Sequence, residues 1–229
     1  MKHDIVYILQ HGVMPNELRY SLRSVGMNFP HGRVFFFCGL PQGIEPDCFV
    51  PFQQSGVSKW ERSTSTLRKI CTTDEVSDDF WLFNDDFYIL EKVSDLPYMY
   101  SGALSERISE LIERRGVSSY TVKLKECEIA LRVAGCDTLN YALHVPMLIN
   151  KQKALETLDR FPTCPMFRSL YGNHHEVGGI RADDVKIHDR FSLPREGQAL
   201  LSTSDTSFRC GAVGDYIKKK FTEASRWEK

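Results

Sequence analysis

An α/β fold, with a mostly parallel sheet flanked by helices, is what this sequence predicts. Two observations predict it. The apolar runs are continuous rather than alternating, as in strands covered on both faces. Amphipathic helical periods fall between those runs, giving the β-α-β-(α)-β order of a Rossmann-like half. Four runs read as buried strands: Asp4–Leu9, Arg33–Cys38, Phe80–Leu90, which acids interrupt, and Tyr141–Ile149.

The helices follow from spacing. Leu18, Leu22 and Val25 recur at i, i+4 and i+7, with Asn16 available as an N-cap after Pro15. Leu104, Ile108, Leu111 and Ile112 predict a helix stopped near Gly116. Tyr120, Leu124, Cys127 and Leu131 predict another stopped at Gly135. Ala154, Leu158 and Phe161 give a fourth, ended by Pro162, and Val213, Ile217 and Phe221 a C-terminal one carrying Lys218, Lys219 and Lys220. The segment 162–210, rich in Gly, Pro, His and Ser, reads as irregular, with one short strand at Val185–His188. Residues 1–229 form a single expected domain, and the helical pair at about 101–136 reads as an insertion or a cap over one end of the sheet.

Composition narrows the classes. With 29 basic and 30 acidic side chains the net charge is -1, which argues against a chain built to ride the phosphate backbone of nucleic acid. An apolar fraction of 42% excludes disorder and collagen-like repeats. The seven cysteines contain no C-x-x-C pair and their number is odd, which suits reduced thiols better than a disulfide framework. The apolar run Ile5–Leu9 is too short for a signal segment, and no stretch approaches the ~20 apolar residues of a membrane span. A soluble, cytoplasmic protein is expected; its oligomeric state is not legible.

The strongest chemical signal is Phe83-Asn84-Asp85-Asp86-Phe87, where an apolar strand runs into adjacent carboxylates. Burying them unpaired is costly, and a divalent cation such as Mg²⁺ or Mn²⁺ bound by Asp85 and Asp86 would offset that cost. The carboxyl end of a central parallel strand is also where α/β sheets bind ligands. The competing reading is a strand-to-turn junction capped by Asn and Asp. Arg19 and Arg23, four apart, share one helix face, which either serves an anion or is simply solvated. His144, in the apolar run Tyr141–Met147, is a core histidine unless it lies near the Asp pair, where it could act as a general base. Arg168 reads as a loop residue that would clamp phosphate if placed beside it. Arg62 and Lys69, on the basic stretch before the Asp strand, either reach phosphates or face solvent. His174, His175 and His188 lack zinc spacing, and the P-loop, dinucleotide, hydrolase-elbow and zincin motifs are all missing.

Taken in order, these blocks resemble the Stealth family, which includes bacterial capsular polysaccharide phosphotransferases and the animal N-acetylglucosamine-1-phosphotransferase. The resemblance is carried by Asn16-Glu-Leu-Arg-Tyr-Ser-Leu-Arg-Ser-Val25, by Asn84-Asp85-Asp86, and by His144-Val-Pro146 followed by Phe161-Pro162 and Phe167-Arg168. It spans roughly residues 4 to 172, and in length the chain is closer to short glycosyltransferase-like proteins carried by bacteriophages. It implies a GT-A-like fold and a metal-dependent transferase that takes a nucleotide sugar, of UDP type, and a hydroxyl acceptor. Residue by residue, it implies Asp85 and Asp86 as metal ligands, Arg19, Ser21 and Arg23 around the donor, and His144, Asp86 and Arg168 as catalytic groups; Arg62 and Lys69 join the expected donor site from the basic stretch, outside the resembling blocks. The family's Tyr-Thr-Trp-Val-Asp/Asn-Gly run is replaced by Val6-Tyr-Ile-Leu-Gln-His11-Gly12. With His11 where an acid or amide is expected, glycosyl transfer competes with sugar-phosphate transfer. The acceptor is a glycan or a modified DNA base, and a non-catalytic sugar-nucleotide-binding module is the alternative.

Overall fold

The computed structural model describes residues 2–10, 12 and 16–229. His11 and Pro15 lie outside the described residues. Strand β1 (Asp4–Leu9) is followed by helix α1 (Asn16–Asn28), then β2 (Val34–Cys38), β3 (Cys48–Val50) and helix α2 (Lys59–Cys71). Strand β4 (Asp79–Phe83) enters a turn and emerges as β5 (Phe87–Ile89), followed by β6 (Met99–Tyr100). Helices α3 (Leu104–Arg115) and α4 (Ser119–Val133) pack on each other. After β7 (Met147–Asn150) come α5 (Lys151–Arg160) and α6 (Phe167–His174). The chain continues through β8 (Ile180–Arg181), β9 (Lys186–Ile187), β10 (Leu200–Thr203), α7 (Asp205–Cys210) and α8 (Ala212–Lys220).

The expected α/β class holds. The main sheet has the order β3-β2-β1-β4-β7, parallel except for β7, which runs against β4. Both faces are covered, and strand pleating divides the residues between them. Ile5, Tyr7, Leu9, Phe36, Trp81 and Phe83 face α1 through Leu18, Leu22 and Val25. Val6, Phe35, Phe37, Phe80 and Leu82 face α2 and α5 through Leu67, Ile70, Ala154 and Leu158. That two-sided burial is why the strands read as unbroken apolar runs. A second sheet, β5-β10-β9, packs Tyr88, Leu90 and Leu201 on Phe208, Val213, Ile217 and Phe221 of α7, α8 and the residue after it. Among the described residues no helix is long and apolar enough to cross a membrane.

The predicted strand Phe80–Leu90 is two strands in different sheets, because the Asn84–Asp86 turn ends the first. The predicted strand Tyr141–Ile149 shrinks to Met147–Asn150. Before it, Pro146 can donate no ladder bond, and the Tyr141 and Ala142 amides bond to Ser169 Oγ and Asn140 Oδ1 instead. Segment 162–210 is not irregular throughout: it holds α6, three short strands and α7.

Candidate active site

The carboxyl ends of β1, β2, β3 and β4 all point to one edge of the sheet. A cavity of about 1330 Å³ lies there, lined by Ile8, Gln10, Cys38, Phe52, Lys59 and Arg62 among others. Cys38 closes β2 with φ at 74°, a left-handed conformation that a non-glycine residue holds only when its surroundings enforce it. Arg62, exposed in the first turns of α2, lines the cavity and donates to the Val57 carbonyl at 2.9 Å. Lys69 does not: seven residues beyond Arg62, it lies about 15 Å from the helix start at Lys59.

The Asp turn sits at the same edge. Asp86 Oδ2 accepts from Lys186 Nζ at 2.7 Å and from Ser202 Oγ at 3.0 Å. Asp85 has no cationic side chain within ion-pair distance among the described residues. Burial first, and then the charge of Asp86, push its carboxyl up to about 6. Burial also raises Glu17 in the first turn of α1, with the charges of Asp85 and Asp86 adding to it. The edge is therefore short of positive charge at Asp85. No three His, Cys, Asp or Glu side chains converge as a complete metal cage among the described residues. The donor set fits the mode in which Mg²⁺ takes one or two protein carboxylates and completes its shell with phosphate oxygens and water.

Helix α1 explains why the Asn16–Val25 block accompanies the Asp turn. Ser21 donates to the Phe87 carbonyl at 2.6 Å, Ser24 accepts from the Ile89 amide at 3.0 Å, and Asn28 donates to the Ile89 carbonyl at 2.8 Å. These three side chains hydrogen-bond the β5 edge that β10 leaves open. Ser21 is fully buried, bonded also to Tyr7 Oη at 2.8 Å, so it positions the turn and cannot touch a donor. The opposite face is also committed. Arg23 forks onto Glu228 with both its bonds at 2.7 Å and donates to the Phe221 carbonyl at 2.9 Å. Arg19 reaches the same carboxylate at 2.8 Å. Both arginines tie the C-terminal segment to α1, which is a different task from the donor contact expected of them.

Arg168 belongs to the first turn of α6 and not to a loop. Gly172 lets that helix approach closely, since a Cβ there would meet the Tyr141 ring at 2.5 Å. The Arg168 guanidinium donates to the carbonyls of Leu143 and Val145 and, at 3.5 Å, of Leu82. It thus staples the end of β4 to the segment carrying His144. Burial pushes it down to about 10, with Asp86 and Asp184 drawing it back up. The residue keeps partial solvent access.

His144 stands on the far side of that staple. Its Nδ1 lies 3.0 and 2.9 Å from the two carboxylate oxygens of Asp184. Both line a second cavity of about 490 Å³ with His188, Tyr120, Arg107 and Arg115. Along residues 184–188, Asp184, Lys186 and His188 alternate with apolar residues, and Lys186–Ile187 form β9. Asp184 holds His144, Lys186 holds Asp86, and His188 turns edge-on to His144 with ring centroids 6.5 Å apart. Sequence reasoning missed Asp184 and Lys186. The alternation Asp-Val-Lys-Ile-His was the available signal.

No protein-family profile matches the chain, and no curated protein does. Solved structures loosely similar in shape include three glycosyltransferases. The galactosyltransferase LgtC, with donor and acceptor sugar analogs, gives a TM-score of 0.46 at 12% identity, over 96% of each chain. Mouse xyloside xylosyltransferase 1 gives 0.40 at 10% identity, over 100% of this chain and 96% of that one. The glycosyltransferase GlyE of Streptococcus pneumoniae TIGR4 gives 0.40 at 9% identity, over 80% of this chain and 45% of its own. At such scores the likeness carries no functional weight, which falls on the geometry of the sheet edge.

Proposed function

We propose that this protein is a transferase that moves a sugar from a nucleotide-sugar donor to a hydroxyl acceptor. The observation that carries it is the placement, at one sheet edge, of a cavity of about 1330 Å³, an Asp85–Asp86 turn and an arginine-backed histidine. The Stealth-like order of the sequence blocks supports the same reading. The nucleotide lies in the cavity at the ends of β1–β3, where Phe52 offers a stacking face and Lys59 and Arg62 face the diphosphate. Asp85, with Asp86, would hold Mg²⁺ or Mn²⁺. When bound, the cation supplies charge neutralisation for the diphosphate. Arg168 adds a fixed positive charge behind the reacting centre, and His144 takes the acceptor proton.

Incubation with a panel of nucleotide sugars, with and without Mn²⁺, and identification of the released nucleotide tests this. Nucleoside diphosphate is expected. Nucleoside monophosphate would assign sugar-phosphate transfer instead. No release from any donor, with or without metal, would leave a binding module.

A further inference from the structure

We propose that Asp184 is the positioning residue for His144, and that the cavity they line, walled by α3 and α4, receives the acceptor. This rests on the transferase reading above and adds to it the acceptor's place and the group that orients the base.

Asp184 is fixed at several points. Besides the imidazole, it accepts from the His144 and Lys186 backbone amides, both at 3.3 Å. The carboxyl lies below its usual range; burial opposes this, but the bonds to His144 outweigh burial. An ionised carboxylate only accepts, so the proton of a neutral His144 sits on Nδ1 and the lone pair on Nε2. That is the tautomer a general base needs. As the acceptor oxygen forms its bond to the donor's anomeric carbon, its proton passes to Nε2. The bond from that carbon to the diphosphate oxygen breaks, and its electron pair leaves with the nucleoside diphosphate.

The acceptor belongs here because the donor cavity is lined by other residues, and because the dyad stands beside the Asp turn. Lys186 bonds Asp86 through its ammonium at 2.7 Å and Asp184 through its backbone amide at 3.3 Å, so one residue bridges the two carboxylates. A cavity of about 490 Å³ is of the small-ligand class and suits one end of a saccharide. Tyr120 gives it an aromatic wall, and its hydroxyl-bearing rim includes Ser101 and Ser118. The helical pair is then the acceptor wall.

Two measurements test this. In ¹⁵N-histidine spectra, neutral His144 is expected with Nδ1 protonated, and Asp184→Asn is expected to lose that preference. Protonation on Nε2 in the native protein would overturn the assignment whether or not a donor is ever turned over. In assays, Asp184→Asn is expected to lower kcat by about 10³- to 10⁴-fold, with donor KM and nucleotide-induced thermal shift unchanged and Asp184→Glu restoring part of the rate. An unchanged kcat would overturn it. Tyr120→Ala is expected to raise acceptor KM several-fold and leave donor KM alone; an unmoved acceptor KM would place the acceptor elsewhere. Absence of nucleotide release from the native protein would defeat the transferase reading, while the spectra would still decide the Asp184–His144 pairing.

Discussion

The two carboxylates that hold the candidate site together, Asp86 and Asp184, are delivered by opposite means. Asp86 arrives at the end of a central parallel strand, buttressed by a helix that follows β1, so regular structure alone brings it to the edge. Asp184 lies in a stretch whose ladder is only two residues long, and its position depends on bonds to His144, forty residues earlier. On the reading proposed above, donor chemistry would be seated on scaffold and acceptor chemistry on connecting segments, in line with the general placement of specificity on loops.

Substitutions can break this contrast. The largest effect is expected at Asp85. Asp85→Asn should reduce turnover on the order of 10³-fold, since it removes the open carboxylate from the reacting edge. The same change should raise the melting temperature of the donor-free protein, because a carboxyl raised to about 6 is held ionised at neutral pH at a cost. Thermal melts with turnover assays check both; a lower melting temperature would refute the electrostatic account.

Next comes the scaffold. Glu228 is held down to about 2: burial opposes its ionisation, but bonds from Arg23, the Ser225 amide and Arg19 prevail. Its ionised form therefore favours the fold above the unfolded value near 4.5, and that contribution disappears as pH falls through about 2. Glu228→Gln should cost on the order of 3 kcal/mol at pH 7 and little at pH 2, read from denaturant midpoints. Ser21→Ala leaves the Phe87 carbonyl without its donor and should cost about 1–3 kcal/mol, where a true donor ligand would have changed KM instead. The smallest contrast is within α2: Arg62→Ala should raise donor KM several-fold, while Lys69→Ala should leave it unchanged.

What could be read from the chain tracks the distance between partners. β1, β2 and the helices from 104 to 133 are set by local apolar periods, and the Asp turn by polar residues breaking an apolar run. Arg19 and Arg23 misled because their spacing says nothing of Glu228, about two hundred residues away. Ser21 misled because a seryl hydroxyl reads alike whether it faces a ligand or, as here, a backbone carbonyl in the core. α6 escaped notice because it begins after Pro165 and a left-handed Met166 and carries Gly172 inside it, so no helical signal precedes Arg168. Asp184 is recognisable only once His144 is seen beside it.

The alternation along residues 184–188 also constrains how this chain can vary in length. Neighbouring side chains of a strand point to opposite sides, so adding or removing a residue within β9 would swing Lys186 away from Asp86, and a change just before it would break the Asp184 contact to the Lys186 amide. Val185 and Ile187 can be exchanged for other apolar residues at modest expense, but the spacing itself cannot drift. Just beyond, Asp189 accepts from the Phe191 and Ser192 amides and the Arg190 carbonyl accepts from the Ala212 amide, so length can vary more easily after Ser192, where Leu193 is 55% exposed. Natural variants should therefore carry insertions after Ser192 and none between Asp184 and His188.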